Sequence, residues 1–342
     1  MSTRIIANGT DRQHDDTVIE IKSLSVSYKT ESGYVKAVDN VSFSINKGEI
    51  LGLAGESACG KTTTALSIMR LLGKNAVVDG SIIFDDRDVL QMPEEELRNF
   101  RWKRVSLIPQ GSMNSLDPVI PVGKQIIEAI QAHGRVSKNE AWQTAGKLLS
   151  SVSIHPSRAR NYPHEFSGGM KQRAVIAMAL ALNPALVIAD EPTTALDVVV
   201  QKQLLLELKK LQRNLGISFL FVSHDLSVIG EVADRVAVMY AGKIVEIGVK
   251  EDVLQHPSHP YTQALVNSVP KVYGNRQVLH SIPGNPPTGI WPQGCRFHPR
   301  CQYAFDLCKE KEPELEISPT GAYAACHLVS KDLTKNQTDT KQ

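Results

Sequence analysis

The segment Glu49-Ile-Leu-Gly-Leu-Ala54-Gly55-Glu-Ser-Ala-Cys-Gly60-Lys61-Thr62 constrains the fold more than any other stretch of the chain. An apolar run of strand length leads into a glycine-containing loop, and a helical stretch follows from Lys61 to about Leu72. The loop fits G-x-x-x-x-G-K-[ST]. Its glycines let backbone N–H groups wrap a phosphate chain, and the following helix presents its positive N-terminal end. In that pattern Lys61 is expected to reach the β- and γ-phosphates of a nucleotide, and the Thr62 hydroxyl to ligate Mg²⁺. Gly55, Glu56, Ser57, Ala58, Cys59, Gly60 and Thr63 complete the expected binding set.

The surrounding pattern is that of an α/β fold. Val18–Tyr28 alternates apolar and polar residues as a half-buried strand does, and Val41–Ile45 alternates again before the Asn46-Lys47-Gly48 turn. Leu186–Ala189 and Phe219–Val222 are short apolar runs beside helical segments, which marks buried parallel strands. Val236–Tyr240 and Ile244–Ile247 flank Ala241-Gly242-Lys243 as a hairpin. Between Pro93 and Pro163 the pattern is mostly helical, with Glu94–Arg104, Val122–Gln131 and Lys138–Val152 as candidates. After about Gln255, prolines such as Pro257, Pro270, Pro286 and Pro299 make long helices unfavourable and set off a C-terminal module. The expected division is a disordered start (1–16), a nucleotide-binding domain (17–255, helical subdomain about 93–180), the C-terminal module (256–330) and a disordered polar tail (331–342).

A formal net charge of +2 argues against nucleic-acid binding driven by bulk electrostatics. The start lacks an apolar run of signal-peptide length, and nowhere do 18 consecutive apolar residues occur. If the chain serves a membrane, partners must hold it there. Four of its five cysteines fall between Cys295 and Cys326, at C-x5-C-x6-C-x17-C. In a large chain with no export signal, such a cluster reads better as a metal or cluster site than as disulfides.

The strand Leu186–Ala189 delivers Asp190 and Glu191 to its C-terminal edge, where ligands of open α/β sheets collect. Asp190 would hold Mg²⁺, directly or through water, and Glu191 would polarise an attacking water as general base. Loop and acidic pair together define a phosphate-loop NTPase.

Phe166-Ser167-Gly168-Gly169-Met170-Lys171-Gln172-Arg173 then closely resembles the signature of ABC ATPases. The resemblance implies that Ser167, Gly168, Gly169 and Met170 act on the ATP of a partner protomer. It also makes Gln110 of Leu107-Ile-Pro-Gln110 the Q-loop residue that contacts Mg²⁺ and the lytic water. Asp197 becomes the D-loop aspartate, His224 the switch histidine near the γ-phosphate, and Tyr28 the adenine-stacking aromatic. The implied fold is an ABC ATPase core with an antiparallel β subdomain and a helical subdomain, working as a dimer. Gly111 follows Gln110 where relatives often have Asp.

From about Val18 to Leu328 the chain is similar to the ATPases of peptide importers. Tyr162–Arg173 carries this likeness, as do His256–Leu265, Ile282–Pro287 and Gly294–Cys301, and Glu31–Asp39 looks like the D-type of two paralogous ATPases. The resemblance implies ATP-driven import of di- or oligopeptides from the cytoplasmic side of the cell (inner) membrane, the chain being peripheral there. Its partners would be a paralogous ATPase or a second copy, two transmembrane permease subunits and an extracytoplasmic substrate-binding protein. Nickel or oligosaccharide cargo is an alternative, because closely similar ATPases serve those systems. A soluble ABC ATPase of DNA repair or translation fits less well, since the chain has neither a long coiled-coil insertion nor tandem cassettes. For Cys295, Cys301, Cys308 and Cys326 the resemblance implies a [4Fe–4S] cluster. Zinc, with His298 and His327 as spare ligands, and reduced unliganded thiols remain alternatives.

Overall fold

The computed structural model describes residues 16–268, 282–287 and 289–329. Of the segments expected to be disordered, 1–15 and 331–342 lie outside the described residues, whereas Asp16 is placed, its carbonyl accepting the Lys47 N–H at 2.7 Å.

Two sheets organise the chain. The first is antiparallel, in the order β2-β1-β4-β5, from β1 (Thr17–Thr30), β2 (Gly33–Asn46), β4 (Ala76–Phe84) and β5 (Arg87–Asp88). The second has eight strands in the order β11-β12-β10-β9-β3-β8-β7-β6. At its centre stand β3 (Ile50–Ala54), β8 (Ser218–Ser223), β7 (Leu186–Asp190) and β6 (Val105–Ile108), all parallel. β9 (Arg235–Tyr240) runs parallel to β3, then turns through Ala241-Gly242 into antiparallel β10 (Lys243–Val249). The short β11 (Glu316–Ile317) and β12 (Tyr323–Ala324) come from the C-terminal module, and β12 pairs with β10.

The helices are α1 (Lys61–Ile68), α2 (Glu94–Lys103), α3 (Val122–Gln131), α4 (Lys138–Ser151), α5 (Gly168–Ala179), α6 (Val198–Leu215), α7 (Leu226–Val232), α8 (Lys250–Gln255), α9 (Pro260–Ser268) and α10 (Asp306–Glu310). Among the described residues no helix is long and apolar enough to cross a membrane.

Side-chain alternation along the buried strands builds two cores on opposite faces of the large sheet. Ile50 and Ala54, Val187 and Ala189, and Phe219 and Phe221 enter the core that holds residues of α3 to α7. Leu51 and Leu53, Leu186 and Ile188, and Leu220 and Val222 enter the other, shared with β1, β2, β4 and α1. Coverage on both faces is why these strands read as continuous apolar runs.

Three local expectations are corrected. The helix after the loop ends at Ile68 rather than near Leu72, because Arg70 takes φ +50° and the Leu71 N–H turns back to the Leu66 carbonyl. The stretch read as mostly helical contains β6, which pairs with β7, so the helical layer begins after the core sheet has gained its edge strand. Helix α2 breaks at Arg101 and Trp102 to let that strand form. Its Arg101 guanidinium donates to the Met69 and Arg70 carbonyls, and the Trp102 indole to the Met178 carbonyl.

The C-terminal module is stitched into the core as well as following it. Buried Tyr261 and Phe297 pack with Tyr240 of β9, at ring separations of 4.6 and 5.3 Å. Glu246 of β10, wholly buried, accepts the backbone N–H groups of Ser258 and His259 at 2.7 and 3.0 Å. Burial pushes its carboxyl up, and these backbone bonds pull only partly the other way. Replacing Glu246 by Ala strands the buried His259 donor and the half-buried Ser258 donor, and is expected to cost on the order of 3 kcal/mol, measurable by denaturant unfolding. A loss below 0.5 kcal/mol (roughly the level of a neutral surface change) would show that this carboxyl does not tie the module down.

Candidate functional site

The site forms because four neighbouring parallel strands end at one edge. β3 runs into the phosphate loop, β7 into Asp190 and Glu191, β8 into His224, and β6 into Gln110. Sheet order β3-β8-β7-β6 sets these four ends side by side.

The loop's shape depends on glycine. Gly55 has φ +148°, and a Cβ there would stand 2.2 Å from the Met239 carbonyl oxygen. Helix α1 starts at Lys61 behind Gly60, with no side chain capping it. Lys61, only 5% exposed, donates its Nζ to the carbonyls of Gly55 and Glu56, both at 2.8 Å. Tyr28, at the far end of β1, reaches the loop through its hydroxyl, 3.5 Å from the Thr63 Oγ1.

Two contact sets gather at the acidic end of β7. The Thr62 hydroxyl donates to Asp190 Oδ1 at 3.2 Å. Burial pushes the Asp190 carboxyl up, Glu191 adding to this, against the opposing Thr62 bond and Lys61 charge. Glu191 collects three partners: Gln110 Nε2 at 3.2 Å, the Thr194 hydroxyl at 3.1 Å and His224 Nδ1 at 2.9 Å. Burial would raise its carboxyl, but the His224 ring, the Thr194 hydroxyl and Lys61 outweigh that and hold it below the usual range. Glu191 also sits at φ +48°, a strained backbone for a glutamate, so the loop after β7 aims this carboxylate at an energetic cost. Gln110 thus meets Glu191, and not Asp190.

The other expected residues stand apart from this group. Ser167 caps α5, its hydroxyl accepting the Met170 N–H at 3.3 Å, and Asp197 caps α6 through the Val200 N–H at 3.0 Å. Among the described residues neither bonds to the phosphate loop. Gly169 lies against α6, where a Cβ would be 2.8 Å from Val200. The segment after Gln110 is tied to α5 by the Ser112 hydroxyl, which donates to Gln172 Oε1 at 2.7 Å. That link carries no signal in the sequence.

Cys295, Cys301, Cys308 and Cys326 line one pocket, with His298 and His327 beside them. None of the four is joined in a disulfide. Burial pushes Cys295 and Cys326 up to about 11, each raised further by neighbouring cysteines. Among the described residues no three His, Cys, Asp or Glu side chains stand close enough to hold a single metal ion.

Residues 38–194 match the ABC transporter family, and residues 245–308 match the oligopeptide/dipeptide transporter C-terminal region. The chain is 43% identical to the oligopeptide transport ATP-binding protein OppD of Escherichia coli, over 94% of its own length and 96% of that protein's. It is 46% identical to a probable peptide ABC transporter ATP-binding protein of Sinorhizobium fredii, over 91% and 95%. Among solved structures, a dimeric post-hydrolysis ATP-binding cassette bound to ADP and Pi aligns with a TM-score of 0.61 at 26% identity, covering 68% of this chain and 98% of that one. Fold and site together define an ABC-type ATPase, with its mixed α/β cassette and antiparallel β subdomain. The chain belongs to the ATP-binding proteins of the oligopeptide/dipeptide ABC transporter family.

Proposed function

We propose that this chain binds and hydrolyses Mg-ATP to drive a di- or oligopeptide importer from the cytoplasmic face of the cell membrane. The pairing of Thr62 with Asp190, and of Gln110 and His224 with the adjacent Glu191, at neighbouring strand ends carries the reading. The peptide cargo rests on the relatives' names and on the matched C-terminal region.

In this reading Lys61 and the loop's N–H groups bind the phosphates, and Tyr28 stacks on the base. The oxygen pair of Thr62 and Asp190, 3.2 Å apart, fits a hard cation and would hold Mg²⁺, and Gln110 would join them from its place beside Glu191. When bound, that ion supplies charge neutralisation at the phosphates. Glu191, kept ionised, takes the proton of the attacking water, and His224 orients its carboxylate through Oε1. Ser167, Gly168, Gly169 and Met170 lie away from their own loop and would complete the site of a partner ATPase, with Asp197 at that junction. The partner is a second copy or a paralogue, and permease subunits and a binding protein complete the importer.

The C-terminal module from about residue 256 would hold a cluster on Cys295, Cys301, Cys308 and Cys326. Four thiols around one pocket fit a thiolate-ligated centre.

The dimer is tested by light scattering of the Glu191→Gln variant with Mg-ATP. ATP-dependent association, lost when Ser167→Arg is added, is expected. Association indifferent to Ser167→Arg would remove the signature from the shared site.

A further inference from the structure

Glu56, directly after the loop's first glycine, is held at backbone and side chain by residues far along the chain. Its N–H donates to the Tyr261 hydroxyl at 2.9 Å, across 205 residues. Its carboxylate receives both terminal nitrogens of Arg300, at 2.6 and 3.0 Å, across 244 residues. This is the two-pronged geometry that suits a guanidinium to a carboxylate. Arg300 is itself fixed, with its side chain 6% exposed and its Nε donating to the Pro283 carbonyl at 2.8 Å. It directly precedes Cys301.

A second route starts beside Cys295. Arg296 pairs with Asp39 and donates to the Ala241 carbonyl, and its guanidinium lies 3.7 Å over the Trp291 ring. The next residue of that turn, Gly242, donates its N–H to the Cys59 carbonyl at 2.9 Å, inside the phosphate loop. A Cβ on Gly242 would meet the Trp291 ring at 2.5 Å, so the turn is pressed against the module. Glu56 thus rests on Arg300, beside Cys301, and Cys59 on a turn that Arg296, beside Cys295, holds.

We infer that Arg300 is a positioning residue for the phosphate loop, through which the Cys295–Cys301 turn sets the loop's affinity for ATP. The inference rests on the reading that this loop binds ATP. A loop that must turn through positive φ at Gly55, Ala58 and Gly60 loses conformational freedom when it closes on phosphates. Fixing Glu56 beforehand removes part of that loss, which is preorganisation. Coupling is reciprocal, so ATP must in turn steady the Cys295–Cys301 turn.

The test uses the full chain and a fluorescent ATP analogue. Arg300→Ala and Glu56→Ala are each expected to raise Kd about tenfold, and the double variant no more than either alone. Arg300→Lys recovers part of the loss, because lysine keeps the charge and loses the fork. ATP slows amide exchange across Cys295–Cys301 in the unaltered chain, and this protection disappears in Glu56→Ala, which leaves the C-terminal module's own residues intact. An unchanged Kd in Arg300→Ala, or losses that add in the double variant, overturn the positioning role. An unaltered chain that ignores ATP, or a Lys61→Ala variant that binds it equally well, overturns the ATPase reading itself and this role with it. Lys61-dependent binding that is indifferent to Arg300 and Glu56 overturns the positioning role alone.

Discussion

Glu191→Gln is expected to keep ATP bound while slowing turnover by about two to four orders of magnitude, the usual contribution of a positioned general base. The amide can still hold the Gln110, Thr194 and His224 contacts in part, so the geometry at the end of β7 persists. It loses the negative charge: burial alone would raise the Glu191 carboxyl, but the His224 ring, the Thr194 hydroxyl and Lys61 hold it below the usual range and so ionised at neutral pH. Binding should change little, because Lys61, Thr62 and the loop are untouched. Single-turnover hydrolysis and nucleotide binding, measured on one preparation, separate the two effects. Hydrolysis within about threefold of the unaltered chain, far inside that expected range, would take the role of base away from Glu191.

Cys301→Ser is the second change with a large expected effect. On the proposed cluster reading, anaerobically purified chain contains about four irons and absorbs broadly near 400 nm (roughly, as iron–sulfur thiolate centres do). The serine variant loses most of both. The module then loosens, because its described parts use short elements such as α10, β11 and β12. Nucleotide is still held at Lys61, with the affinity set by whatever order the Arg300 turn retains. Iron content and limited proteolysis check the two halves. Stoichiometric zinc without iron, in protein prepared without oxygen, would overturn the cluster reading and leave the cassette as described.

Much of the site could be read from sequence because its elements are local and punctuated. Strand, glycine loop and helix follow one another between Ile50 and Ile68, and Asp190, Glu191 and His224 each end or follow an apolar run. What escaped has a physical reason. β4 carries Gly80 and is exposed along much of its first half, so its alternation is weak. β6 is four residues long and follows a charged helix, which hid it inside a helical pattern. Arg300 and Tyr261 lie in a proline-rich stretch and act on Glu56 across more than 200 positions. No periodicity marks a contact of that range; it is visible only once β12 and Phe297 fasten the module to the sheet.

The two ends of the large sheet bear on how copies of the chain can meet. One border is β11, two residues long, and the other is β6, four residues long and followed by Pro109. Short borders offer few unpaired backbone groups, so strand-to-strand joining between molecules gains little. Joining through the margins of this sheet is thereby disfavoured. The exposed start of α6, where Val198 and Val199 are 79% and 77% accessible, offers an apolar face instead.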